Sequence, residues 1–158
     1  MITHIVEVKV KNARSEKFYD FMINPNDQQY KTWWPQEHLQ FHITKPGDEN
    51  HLGDHVYFDE YLGKKRRTSF HAVVVTANRP IKIVWQMKMI GIRLPFFVNF
   101  ELKDEPDYLT VRHELKMGYS GIGKIFDLFI RLVFNKKYKE DLENHCNIEW
   151  PKLAELLS

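Results

Sequence analysis

The sequence predicts an α+β fold: a curved antiparallel sheet of about seven strands wrapped around a long C-terminal helix, with two short helices after strand 1. Three observations predict it. Period-two alternation dominates residues 38–119. Turn residues separate the alternating runs, which makes consecutive strands antiparallel neighbours. The last third then changes to helical spacing, and it is the only large cover available for the apolar face of the sheet. At 158 residues the chain is expected to be a single domain over 1–158.

The elements follow in order. Ile2, His4, Val6, Val8 and Val10 share one side of the first run, with Thr3, Ile5, Glu7 and Lys9 on the other, as in a half-buried strand. Asn12-Ala13-Arg14-Ser15 supplies turn and cap residues. Phe18, Phe21 and Met22 then recur at helical spacing, so a short helix starts near Ser15. Asn24-Pro25-Asn26-Asp27 breaks it, and a second short helix covers Asp27 to Trp33, closed off by Pro35.

Leu39, Phe41 and Ile43 form a strand that ends at Pro46-Gly47-Asp48. The next runs from His55 to Tyr61, between Gly53-Asp54 and Gly63, and Arg66 to Thr76 is long and rich in β-branched residues. Beyond Asn78-Arg79-Pro80, Ile81, Ile83, Trp85, Met87 and Met89 alternate with Lys82, Gln86 and Lys88. Leu94, Phe96, Val98, Phe100 and Leu102 alternate again as far as Asp104-Glu105-Pro106-Asp107. In the last strand Leu109, Val111, His113, Leu115, Met117 and Tyr119 face one way, and Thr110, Arg112, Glu114 and Lys116 the other.

In the helical end, Ile122, Ile125, Phe126, Phe129 and Val133 share one face at about 100° per residue. Tyr138, Leu142, Cys146, Leu153 and Leu156 share a roughly opposite face. One unbroken helix would bury both. A break is therefore predicted near Asn135, between a short helix over about 122–134 and a longer one to about Leu157. Pro151 is expected to bend the second by removing the bond to Asn147.

Composition excludes several classes of function. A formal charge of +2 gives no footprint for nucleic acid or an anionic membrane, and Lys64-Lys65-Arg66-Arg67 falls where a solvated hairpin turn is expected. Cys146 is the only cysteine, which rules out an intrachain disulfide and favours a reducing compartment. The start has no signal-peptide pattern, and no apolar run approaches the roughly 18 residues of a spanning helix. A cytoplasmic protein without stable membrane insertion is expected. Gly118, Gly121 and Gly123 fit no nucleotide fingerprint, and no cofactor is expected.

Three local stretches add to the element order: Trp33-Trp34-Pro35, the passage from Val73 through Arg79-Pro80 to Ile83-Val84-Trp85, and the ending His145, Glu149, Leu153, Leu156. Together they resemble the helix-grip fold of the START/Bet v 1-like (SRPBCC) superfamily, polyketide cyclase/dehydrase-type proteins included. The resemblance covers essentially the whole chain. It implies a cavity between sheet and C-terminal helix that encloses a hydrophobic small molecule or lipid, with the Trp33-Trp34-Pro35 segment near its mouth. None of the stretches is a catalytic motif, and Pro151 departs from the pattern.

The expected ligand-binding residues are Trp85, Met87, Phe96, Phe100, His113, Met117, Tyr119, Leu142, His145 and Glu149, with Met89 in the same inward set. Aromatic and thioether side chains make an adaptable apolar lining, although a filled core would use the same residues. His145 and Glu149 lie one turn apart on the buried face, as a polar handle in the pocket or as a structural pair. An unpaired buried Glu149 carboxylate would cost several kcal/mol or more, so a partner, a proton or a wet cavity is required. As metal ligands the two supply only a pair, and spacing indicates no third, so no metal is expected. His113, on an apolar strand face, either orients a ligand or bonds a core neighbour. Cys146 is adjacent to His145 but faces elsewhere, and it is expected to be a small buried apolar residue rather than a nucleophile.

Three functions stay open at this stage. One is binding of a hydrophobic small molecule. Another is a cyclase/dehydratase-type enzyme, for which no dense inward cluster of ionisable groups is evident in the sequence. The third is a partner-binding module of the cochaperone kind.

Overall fold

The computed structural model describes residues 2–63, 66–119, 124 and 127–158. Its elements are β1 (Ile2–Lys11), α1 (Ser15–Ile23), α2 (Asp27–Trp33), β2 (His38–Lys45), β3 (His55–Leu62), β4 (Arg66–Asn78), β5 (Lys82–Met89), β6 (Ile92–Asp104), β7 (Tyr108–Met117), α3 (Asp127–Val133) and α4 (Lys136–Leu157). All seven strands form one antiparallel sheet in the order β1-β7-β6-β5-β4-β3-β2. Hairpins therefore build the sheet from β2 to β7, and β1 joins it along β7, with Ile2 opposite Met117 and Lys11 opposite Tyr108.

The alternation read from the sequence sorts the two faces. Val6, Val8 and Val10 of β1, Leu109, Val111 and Leu115 of β7, and Ile83 and Trp85 of β5 are buried beneath the helices. The outer face carries charge instead: Arg112 meets Glu101 (3.4 Å) and Glu114 (3.2 Å), and Lys82 meets Glu101 (2.5 Å). Half-buried at the surface, such pairs contribute modestly to stability and keep that face polar.

Helix boundaries have local causes. The Asn26 side chain caps α2 by accepting from the amides of Gln28 and Gln29. α1 has no side-chain cap at its own N-cap residue; Asp104, at the end of β6, accepts from the Ser15 amide (3.0 Å) and hydroxyl (2.6 Å) instead. The predicted break falls at Asn135, which is the N-cap of α4. Its Oδ1 accepts from the Tyr138 amide at 3.0 Å, and its Nδ2 donates to the Leu132 carbonyl at 3.3 Å. α4 continues through Pro151 to Leu157 and buries Leu142, Cys146, Trp150 and Leu153.

Several expectations are corrected. The last strand ends at Met117, where Gly118 with φ 137° turns the chain, so Tyr119 lies beyond it. Met89 is 60% exposed rather than inward, because it stands with Ile90 and Ile92 at the tip of the β5–β6 hairpin, beyond the reach of any helix. Ile81 and Leu156 are also exposed, each at the end of its element. Lys64 and Lys65, the segment 120–123, Ile125 and Phe126 lie outside the described residues, as do the side chains of Phe129 and Val133.

Candidate functional site

Between the concave face of the sheet and α4 lies a cavity of about 490 Å³. Trp85, Met87, Phe96, Phe100 and His113 line it from the sheet, and Leu142, His145 and Glu149 from α4. Two expected residues do not line it. Met117 is buried at the end of β7, where it pairs with Ile2 and Phe96, and its side chain belongs to the core. Tyr119 lies beyond the strand, where its amide donates to the Asp127 carboxylate (2.9 Å) at the start of α3. Trp150, absent from the expected set, lines the cavity one turn after Cys146 and packs against Trp33, Phe100 and His113. Trp33 is buried and lines the cavity. Trp34 is half-buried and stacks on His145 with ring centroids 4.7 Å apart.

One end of the cavity is polar. Glu149 Oε1 stands 3.3 Å from His38 Nε2 and 3.7 Å from His145 Nε2. Burial opposes the charged forms of both Glu149 and His145, but their mutual attraction outweighs it. His145 is held protonated well above the ordinary histidine range, and Glu149 ionised below the usual carboxylate range. Glu60 joins them from β3, with Tyr30 Oη donating to its Oε2. One donor atom from each of His38, Glu60, His145 and Glu149 lies within 4.8 Å of the others, so these four residues can hold a metal ion.

The spacing of His145 and Glu149 exposed only half of this cluster. His38 was hidden by the register shift between His38 and Gln40, which brings both His38 and Phe41 inward where simple alternation separates them. Glu60 did carry a signal. It shares the face of Val56, Phe58 and Leu62, an acidic residue in an apolar row.

His113 lies a short way along the same cavity. Its Nδ1 is 3.2 Å from Cys146 Sγ, the neighbour available to accept or supply a weak hydrogen bond. Burial lowers the His113 pKa to about 4; Glu149 opposes this and His145 and His4 reinforce it, so the ring is neutral. Burial likewise raises the Cys146 thiol well above its ordinary pKa, helped by Glu149 and Glu60. It stays a thiol and lacks the thiolate a nucleophile needs.

The curved sheet gripping a C-terminal helix over a cavity is the helix-grip, Bet v 1-like fold. Known structures share it. The protein TTHA0849 from Thermus thermophilus superposes with a TM-score of 0.61 at 8% identity, over 99% of this chain and 97% of that one. Major latex-like protein 151 from Panax ginseng gives 0.59 at 9% identity, over 91% and 96%. Aha1 from Colwellia psychrerythraea, a dimer in solution, gives 0.53 at 15% identity, over 99% and 93%. At these identities the likeness is one of fold. No protein-family model matches the chain, and no curated protein is significantly similar to it in sequence. Among the described residues, no helix is long and apolar enough to cross a membrane.

Proposed function

We propose that the protein binds a hydrophobic small molecule or lipid in the cavity between sheet and α4. The cavity carries this reading. Its volume of about 490 Å³ falls within the roughly 300–1,000 Å³ of small-molecule sites. Trp85, Met87, Phe96, Phe100 and Leu142 supply apolar contact, and a neutral His113 can donate to or accept from a ligand oxygen. Glu149 and His145 supply polarity at one end. Met117 and Tyr119 take no part in this arrangement.

The test is fluorescence titration with N-phenyl-1-naphthylamine, a neutral apolar probe. The wild-type protein binds it saturably with a blue-shifted emission. Val98→Trp, which projects an indole from β6 into the cavity, weakens binding at least tenfold while far-UV circular dichroism is unchanged. Equal probe binding by both proteins, or none by the wild type, overturns the reading.

A cyclase/dehydratase-type enzyme is the second reading. Glu60, His145 and Glu149, which line the cavity together with the neutral His113, favour it, because they place proton donors and acceptors where a bound substrate would lie. Its test is turnover: once a ligand is identified, His113→Ala and Glu149→Gln both abolish conversion under this reading and leave binding measurable.

A further inference from the structure

We propose that His38, Glu60, His145 and Glu149 form a binding site for a divalent first-row transition ion, zinc being the best match, at the polar end of the cavity. The proposal goes beyond apolar ligand binding and does not require it.

Geometry comes first. In a tetrahedral zinc site with bonds of about 2.0–2.2 Å, donor atoms lie roughly 3.3–3.6 Å apart. The His38 and His145 nitrogens stand 3.3 and 3.7 Å from the same Glu149 oxygen, and all four donor atoms fall within 4.8 Å of one another. The most widely separated donors, at up to 4.8 Å, have to draw together by about 1 Å when the ion binds. The donors come from three elements, β2, β3 and α4, so the folded chain alone assembles the site.

The orientation of His38 is the second observation. Its Nδ1 lies 3.2 Å from the Tyr30 carbonyl oxygen. A carbonyl only accepts, so Nδ1 carries the hydrogen and Nε2 turns its remaining valence toward Glu149. Metal-binding histidines are held in this way, with the other ring nitrogen donating to a carbonyl or carboxylate. The Tyr30 ring also stacks on His38 at 4.0 Å between centroids, fixing the plane of the imidazole. Tyr30 Oη donates to Glu60 Oε2, so one residue orients two of the four ligands.

The third observation is what these nitrogens lack. His38 is fully buried and His145 is 4% exposed, yet among the described residues neither Nε2 makes a hydrogen bond of good geometry, Glu149 Oε1 at 3.3 and 3.7 Å being a long ionic contact for each. Buried polar atoms are rarely left so. Both are aimed into the same small space as two carboxylates. A dication there neutralises both carboxylates, and His145 gives up its proton on binding, so that both imidazoles offer a lone pair to the ion. Two imidazoles and two carboxylates are a donor set suited to zinc and to iron(II), cobalt(II) or manganese(II), and a poor one for the softest ions.

The test uses the full chain, stripped with chelator and titrated with cobalt(II), then zinc(II). Wild-type protein develops visible d–d absorption saturating at about one equivalent, zinc abolishes the bands, and elemental analysis finds about one zinc per chain after gel filtration. His38→Gln and Glu149→Gln lose the bands. Glu60→Gln weakens binding at least tenfold, and Tyr30→Phe, which keeps the ring stack but releases Glu60, weakens it about 10–100-fold. These two variants leave the buried histidine–glutamate pair intact, so they decide the matter should the other two not fold. Absence of saturable cobalt bands in the wild type, or equal ion binding by wild type, Glu60→Gln and Tyr30→Phe, overturns the proposal and leaves a cluster held together by protons alone.

Discussion

Replacing Asn135 with alanine tests how the helical end is divided. The side chain works in both directions across the junction, capping α4 through Tyr138 and holding the Leu132 carbonyl at the end of α3. Loss of an asparagine N-cap to alanine costs about 1 kcal/mol. The second bond is longer and exposed, and its loss adds about 0.5 kcal/mol. An unfolding entropy of about 2.1 cal/mol/K per residue gives about 0.33 kcal/mol/K for a chain of 158 residues. The combined loss of about 1.5 kcal/mol therefore lowers Tm by about 4–5 °C. Thermal unfolding followed by far-UV circular dichroism reads this directly. Asn135→Gly, which retains most of the capping conformation, falls between the two at about 2–3 °C below wild type. An alanine variant that melts within about 1 °C of wild type would refute the reasoning, since alanine then joins α3 and α4 without cost.

The cap of α1 is supplied from far along the chain, so Asp104→Ala lowers the urea midpoint by the equivalent of about 1–2 kcal/mol; an unchanged midpoint contradicts this. His113 remains neutral in folded protein at pH 5, as its nitrogen chemical shifts will show. Burial, reinforced by His145 on α4 and His4 on β1 and opposed by Glu149 on α4, sets its pKa at about 4, below the roughly 6.5 of the unfolded chain. The unfolded state thus takes up the proton first as pH falls. The contribution of neutral His113 to stability is complete above about pH 6.5 and lost as pH drops toward about 4. A ring that titrates near 6.5 in the folded state contradicts the placement.

Much of this was legible in the sequence because one physical rule governs each part. A sheet with one buried face writes its pattern in alternation, and Val6, Val8 and Val10 or Leu109 and Val111 obey it. An apolar stripe that changes face predicts a break, and the break falls at Asn135, whose side chain caps α4. What escaped notice lies where those rules lapse. His38 adjoins a bulge, which reverses inside and outside within two residues. Met89 obeys the period, but the helices do not extend over the hairpin tip, so alternation there no longer means burial. The polar site is assembled from β2, β3 and α4, and no spacing along one element reports a meeting between three.

The pairing of β1 with β7 also bears on how the chain is made. The two strands of that ladder are separated by about a hundred residues, or about 5–20 s of synthesis at about 5–20 residues per second. During that interval β1 has no partner, and α4, which covers the concave face, follows later still. The nascent chain thus presents an incomplete sheet with its apolar side bare. Its hairpins from β2 onward can form as they emerge, but closure of the ladder and of the cavity waits until the ribosome has passed β7 and α4.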